Sequence, residues 1–319
     1  MQARRISLIL LFLFLALTVY QSANTQKSYD VDQRVYESVL HGLKHGDNYY
    51  SAFQNALHNK ELNGPGHGRN ASSIRAFREP YLYYALHFFP AKTWRLLSLV
   101  ACFILLWLGR SIALDIDPRG SILSVVLLGC WTAASSSYLY LHAELWGVAF
   151  AMIGMWFLHK GRDGAAVIFF VIASAVRELF LPLLFFGLLF SKKKRDFAIG
   201  LLVAAALYGL HYMWGAGHLV KHGYQPALGF RGISVQIFTK GLGASTTTLG
   251  RIVGLLGLSG FVVLWKQRKV LHESLIIFSF CLLMLVLDEA IGRQYWSLLY
   301  GPLLATYTAG IFSVFERAR

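Results

Sequence analysis

Charged residues are scarce in this chain, at 14% of 319 positions, while 56% are hydrophobic. No soluble domain of this length could cover so much apolar side chain with so little polar surface, so the excess needs lipid. Cysteine is scarcer still. Cys102, Cys130 and Cys281 all lie inside apolar runs, where thiols behave as small hydrophobes, so neither a disulfide framework nor a cysteine metal cluster is implied. Also lacking are an internal repeat, a stretch resembling a separate soluble domain, and a convincing small-x-small cleavage site after the first apolar run. That run, Ile6 to Tyr20 behind Arg4 and Arg5, therefore reads as a retained signal anchor although it is slightly short for a span. The chain reads as one integral membrane domain, residues 1–319.

Apolar runs fall near residues 6–21, 95–113, 121–141, 144–159, 165–190, 197–215, 248–265, 274–291 and 295–315. Most suit a hydrocarbon layer of about 30 Å. A formal charge of +14 would suggest nucleic acid in a soluble protein, but here many basic residues sit in short connections between apolar runs. That pattern expresses topology, and no nucleic-acid partner is expected. With Arg4 and Arg5 inside, simple alternation also puts Arg110, Arg119, Lys160 and Arg162 inside. A single crossing by 165–190 would then export Lys192, Lys193, Lys194 and Arg195, and the Lys266 to Lys269 cluster after them, against the positive-inside rule. Two short helices near 165–176 and 179–190, turning back at Arg177 and Glu178, remove both violations. The expected fold is an all-α polytopic transmembrane bundle of about eight full spans plus this broken hairpin. It has a long first outer loop, 22–93, and a second outer loop, 216–247. Asp288, Glu289, Arg293, His142 and Glu144 then fall at the outer boundary. An adjacent Arg and Glu at mid-membrane would need a protein-lined or wet cavity.

Within the first outer loop, Tyr36, Val39, Leu40 and Leu43 follow helical spacing and predict an amphipathic helix over 30–45. Asp32, four residues before Tyr36, shares its apolar face. A second helix starts after Gly46 and carries Tyr49, Tyr50, Phe53 and Leu57, and a short apolar segment, Pro80 to Phe89, precedes the next span. Asp30 with Gln33 reads as a capping pair and Asp47 as the N-cap of the second helix. Asp32 is either a functional acid or a first-turn acid favoured by the helix dipole. His41 and His45 lack a third ligand, so no metal is expected. Arg69, Arg75 and Arg78 suit either a phosphate or anionic headgroups, and Arg78 could simply pair with Glu79. Most of Tyr81, Tyr83, Tyr84, Tyr295, Trp296 and Tyr300 read as an interfacial belt of aromatics.

The order of these features resembles the GT-C superfamily of membrane glycosyltransferases: one span, a long outer loop with an acid on an amphipathic helix, then many spans with an irregular hairpin. The stretches Asp32-Gln33-Arg34-Val35-Tyr36, Gly46 to Tyr50 (GDNYY) and Phe77 to Tyr84 (FREPYLYY) resemble the polyprenyl-phosphate-mannose-dependent α-1,2-mannosyltransferase family. Where that family has an aromatic-x-Tyr-Pro-Pro element, this chain reads Arg78-Glu79-Pro80, with one proline fewer. The likeness extends loosely through Glu144-Leu145-Trp146-Gly147, Arg177-Glu178-Leu179 and Tyr295-Trp296.

The resemblance implies inverting transfer of a hexose, mannose by likeness, from a polyprenyl-phosphate-linked donor to a hydroxyl of a glycan or lipid acceptor. Its setting would be the outer, periplasmic face of a bacterial inner membrane. It implies Asp32 as general base and no cofactor. Arg177, Arg293 and Arg78 become candidates for the donor phosphate, with Glu178, Asp288, Asp47 and Tyr36 as further substrate-binding candidates. Two other classes fit the residues. A transporter or flippase of lipid-linked sugars would use a broken helix and buried charge, though without an internal repeat. A non-catalytic membrane subunit would use the long loop as a docking surface.

Overall fold

The computed structural model describes residues 2–24, 31–59, 77, 79–136, 141–221, 248–267, 271–291 and 297–316, and the regular elements among them are all helical. They comprise α1 (Gln2–Asn24), α2 (Val31–Lys44), α3 (Tyr49–His58), α4 (Tyr81–Leu86), α5 (Ala91–Ile116), α6 (Gly120–Ser136) and α7 (Ala143–His159). Then follow α8 (Asp163–Val176), a 3₁₀ turn (Glu178–Phe180), α9 (Leu181–Phe190), α10 (Lys194–Ala216), α11 (Thr248–Gln267), α12 (Leu271–Ile291), α13 (Ser297–Tyr307) and a closing 3₁₀ segment (Thr308–Glu316). Three helices are long and apolar enough to cross a membrane: α1, α5 and α10, over Gln2–Ala23, Thr93–Ile116 and Lys194–Ala216. The other apolar helices are shorter, at 10–17 residues by their apolar stretches. The first run is no longer short: α1 extends through Arg4 and on to Asn24, 23 residues or about 35 Å. The last run divides, because the chain tightens into a 3₁₀ segment at Thr308.

Side-chain contacts sort the helix ends into two groups. At one end Arg110 of α5 donates to Ser7 Oγ and the Arg4 carbonyl of α1. Lys160 lies 2.6 Å from Asp115, and His159 bridges Asp115 and Glu273 at 3.3 and 2.7 Å, tying together the ends of α5 and α7 and the start of α12. At the other end Arg95 donates to the Ser22 carbonyl, joining the start of α5 to the end of α1. The first group gathers the short basic connections, as the charge pattern anticipates.

The broken hairpin has the expected shape. Ser191, at the end of α9, donates to Asp163 Oδ2 at the start of α8, so both outer ends of the pair meet at the basic end. Its apex is Arg177, in extended backbone with φ −151 and ψ 111. At 14 residues, α8 rises only about 21 Å, less than the thickness of a hydrocarbon layer. Pro182 is the local reason for the break. In a continuous helix its ring would clash with the carbonyl of Glu178, whereas in the first turn of α9 it costs no hydrogen bond.

Between α1 and α5 the described residues form an apolar cluster of their own. Tyr36, Val39, Leu40 and Leu43 of α2, Tyr49, Tyr50 and Phe53 of α3, and Leu82 and Tyr83 of α4 pack together over Trp94, Leu141, Ala143 and Val176. It caps the starts of α5 and α7 and the end of α8. The α2–α3 junction is a Schellman turn: Gly46, at φ +92, ends α2, with Asp47 N–H bonding the Gly42 carbonyl and Gly46 N–H that of Leu43. Two expectations change here. The α3 cap is Asn48, whose Oδ1 accepts from Ser51 N–H, while Asp47 is exposed and spent on closing the turn. Tyr83 does not join an interfacial belt. It is fully buried and stacked on Tyr49, with ring centroids 5.6 Å apart, and Tyr300 is likewise buried in the bundle.

In the bundle, α11 meets the last segment with almost no clearance: a Cβ on Gly260 would lie 2.1 Å from the Tyr307 carbonyl oxygen. Backbone cannot yield as a side-chain tip can. Gly260→Ala is therefore expected to destabilise the protein by about 1–3 kcal/mol, read as a lower melting temperature in detergent.

Candidate functional site

The caps and the hairpin apex meet over a buried ionic chain. Arg177 is 3% exposed and Glu144 of α7 likewise 3%. Arg177 Nε lies 3.0 Å from Glu144 Oε1, and its Nη1 reaches both oxygens of Glu178 at 2.7 and 2.9 Å. Gly147, one turn beyond Glu144, makes this approach feasible. A Cβ there would come 2.5 Å from the Phe180 ring and 3.3 Å from Arg177 Cβ, so only glycine lets the apex rest on α7. Glu144 Oε2 lies 3.9 Å from His142 Nδ1, and the His142 ring meets Tyr36 of α2 edge to face at 5.3 Å. A continuous path thus runs from the apolar face of α2, through His142 and Glu144, to Arg177 and Glu178.

On the far side of Glu178 stands Glu79, 4% exposed, two residues before the start of α4. Its carboxyl is hydrogen-bonded to Glu178, and its Oε2 has no hydrogen-bond partner among the described residues. Burial pushes Glu79 well above the ordinary carboxylate range, and the negative Glu178 pushes it further, with Arg177 opposing. Glu79 and Glu178 line a cavity of about 20 Å³ together with Tyr81, Ser174, Tyr208 and the apolar Leu181 and Leu207. Two tyrosines anchor the cap to α10 beside it. Tyr81 Oη donates to the Leu207 carbonyl. Tyr50 Oη lies 3.0 Å from the His211 carbonyl and 2.8 Å from its Nδ1, an arrangement that fits donation to the first and acceptance from the second. Burial, then the neighbouring phenols and Glu79, raise the Tyr50 hydroxyl far above its ordinary value, so it stays a neutral donor.

Glu79 gives a signed expectation. Its folded value exceeds its unfolded one, so between the two the folded state holds the extra proton and stability falls as pH rises. This is opposite to the usual carboxylate. Glu79→Gln is expected to hold its melting temperature from about pH 5 to about pH 8 while the wild type declines. Parallel curves would show that Glu79 does not titrate in this way.

Of the residues singled out in sequence, the structure brings together Arg177, Glu178 and Tyr36. Asp32 lies in the first turn of α2, one turn before Tyr36, with its side chain outside the described residues. Asp288 and Glu289 fall near the end of α12, again with side chains outside them. Arg78 and Arg293, Asp30 and residues 222–247 of the loop expected over 216–247 also lie outside. Asp47 is at the solvent-facing turn, away from the ionic chain. Arg177 is already engaged by two carboxylates, which changes its character from a bare phosphate ligand to the centre of a charge network. Glu79 and His211 were missed. Glu79 sits between an arginine and a proline, where a local pair with Arg78 is the natural reading; only the packing of α4 against the apex turns it inward.

Among the described residues no three His, Cys, Asp or Glu side chains converge as a metal site. No protein-family model matches the chain, and no curated protein is similar to it.

Proposed function

We propose that the protein is a multi-pass membrane glycosyltransferase of the GT-C type. In this reading it moves a hexose, mannose by resemblance, from a polyprenyl-phosphate-linked donor to an acceptor hydroxyl. The reaction takes place at the outer face of a bacterial inner membrane, in a bundle of about eight spans. The observation that carries the proposal is the path from the α2 face to the charged hairpin apex, because it links the helix bearing Asp32 with a buried arginine at one end of the bundle. Asp32 removes the proton from the acceptor hydroxyl as its oxygen attacks the anomeric carbon. The bond from that carbon to the phosphate oxygen breaks, the configuration inverts, and polyprenyl phosphate departs with the electron pair. Arg177 balances the leaving charge when the phosphate takes the place of Glu178, whose side chain is 37% exposed. Glu144 holds the guanidinium in place throughout. Arg78 and Arg293 remain further candidates for the phosphate, and Asp288 for a sugar hydroxyl.

The test is transfer of labelled sugar from a panel of polyprenyl-phosphate sugars by the purified protein. Turnover of one donor is expected. A second reading, a transporter of lipid-linked sugars, draws on the same short hairpin with charge at its apex. Movement of donor across proteoliposomes without transfer would favour it, and neither activity would leave the loop as a docking surface for a partner subunit.

A further inference from the structure

We propose that Glu79 is the general acid of the transfer: the donor phosphate takes the place of the Glu178 carboxylate on Arg177, and Glu79 gives its proton to a departing phosphate oxygen. The inference deepens the transferase reading and rests on it.

Two carboxyl groups hydrogen-bond to each other only through a proton. Glu79, 4% exposed, is bonded in this way to Glu178, so the pair holds one. The surroundings decide which of them carries it. Glu178 is 37% exposed and lies 2.7 and 2.9 Å from Arg177 Nη1, both of which favour its anion, while burial leaves the neutral form to Glu79. The Glu178 carboxylate is thus gripped by a guanidinium on one side and a carboxylic acid on the other. Both are donors that a phosphate oxygen can accept from.

In the exchange Glu178, the more exposed side chain, turns outward while Glu144 keeps hold of Arg177 Nε. The cavity of about 20 Å³ beside Glu79 adds room on the order of one water for the larger head group. Only a neutral Glu79 suits this place, because an ionised one would set a second negative charge against the phosphate in a buried position. The other titratable and charged groups around it are Glu144 and His142 at the start of α7, Tyr50 of α3, Tyr81 of α4, and Tyr208 and His211 of α10. Burial first, then the negative Glu178, keeps the proton on Glu79 well above the ordinary carboxylate range, against Arg177. A phosphate in place of Glu178 carries the same sign of charge, so the proton stays until the reaction.

The protons then balance. Asp32 takes the acceptor's proton as the acceptor oxygen bonds the anomeric carbon. The bond from that carbon to the phosphate oxygen breaks with the electron pair on oxygen, and Glu79 protonates the phosphate, which leaves as a monoanion. Asp32 is left neutral and Glu79 ionised; release of one proton to water and uptake of another restore both.

The test is the pH dependence of labelled-sugar transfer by the purified full chain. An acid that must be protonated makes kcat/KM fall about ten-fold per pH unit on the alkaline side. Glu79→Gln, eluting as the wild type does on gel filtration, should lower kcat by about 10² and abolish that alkaline limb, with KM little changed. Glu79→Asp keeps a proton but draws it back by one methylene, so it should retain the limb at a shifted pH with reduced kcat. That variant decides the matter should Glu79→Gln not fold. Wild-type kcat in Glu79→Gln, a limb that neither variant moves, or no alkaline limb in the wild type overturns the proposal while the transferase reading stands. No turnover of any donor overturns both.

Discussion

Asp32→Ala is expected to reduce sugar transfer by about 10² to 10⁴ while leaving the protein folded and inserted. The argument has two parts. A general base acts only on the barrier, so its loss lowers turnover and leaves donor affinity close to wild type. The fold is insensitive to the change because α2 is held by its apolar face, with Tyr36, Val39 and Leu40 all buried in the cap. What Asp32 contributes to the helix itself is a favourable first-turn charge, worth about 0.3–1 kcal/mol. Labelled-sugar transfer and a melting curve on the same preparation separate the two. Full activity in Asp32→Ala removes the residue from the mechanism, and a collapse in stability larger than the dipole estimate assigns it to the fold. Asp32→Asn, which keeps the shape and loses the basicity, should be as inactive as the alanine variant.

The second large effect is on stability. Glu144→Ala leaves Arg177 buried without the carboxylate on its Nε, and removing one partner of a buried pair typically costs about 3–5 kcal/mol. Glu178 remains on Nη1, so the loss should sit toward the lower end of that range. Glu144→Gln retains an acceptor oxygen and should lose less. Replacing the pair together, Glu144→Gln with Arg177→Met, removes the uncompensated charge and should recover part of the stability that Glu144→Ala loses. Thermal unfolding of the three variants in one detergent checks the order. Equal stability of Glu144→Ala and wild type would mean that water reaches the guanidinium, and the apex would then be an open site rather than a packed one.

Much of the cap could be read from local spacing. The face of α2 that holds Tyr36, Val39, Leu40 and Leu43 is the face that is buried, because a helical period of 3.6 leaves only one way to gather those side chains. The break at Arg177 was legible for a different reason: lysine and arginine clusters on either side of 165–190 are consistent only if the segment turns back. Its local cause, Pro182, carried no weight in that argument. The cap of α3 was misplaced by one residue because Asp47 and Asn48 are both good caps, and the positive φ of Gly46 settles which of them is already committed to the preceding turn. Tyr83 and Tyr300 were read as belt aromatics because composition cannot tell an interfacial tyrosine from one whose ring is stacked in a core.

By itself the sequence determined that the chain is helical, that it carries segments apolar enough for a membrane, that its short basic connections gather at one end, and where its first loop and broken hairpin lie. These follow from composition and period, which are properties of neighbouring residues. Only the tertiary structure decided that Glu144 rather than a loop residue holds Arg177, that Glu79 turns inward to Glu178, and that Tyr50 and Tyr81 fasten the cap to α10. Charged partners are chosen by which helix ends are brought within a few ångströms and kept from water. That choice depends on packing between segments far apart in the chain, and no local pattern encodes it.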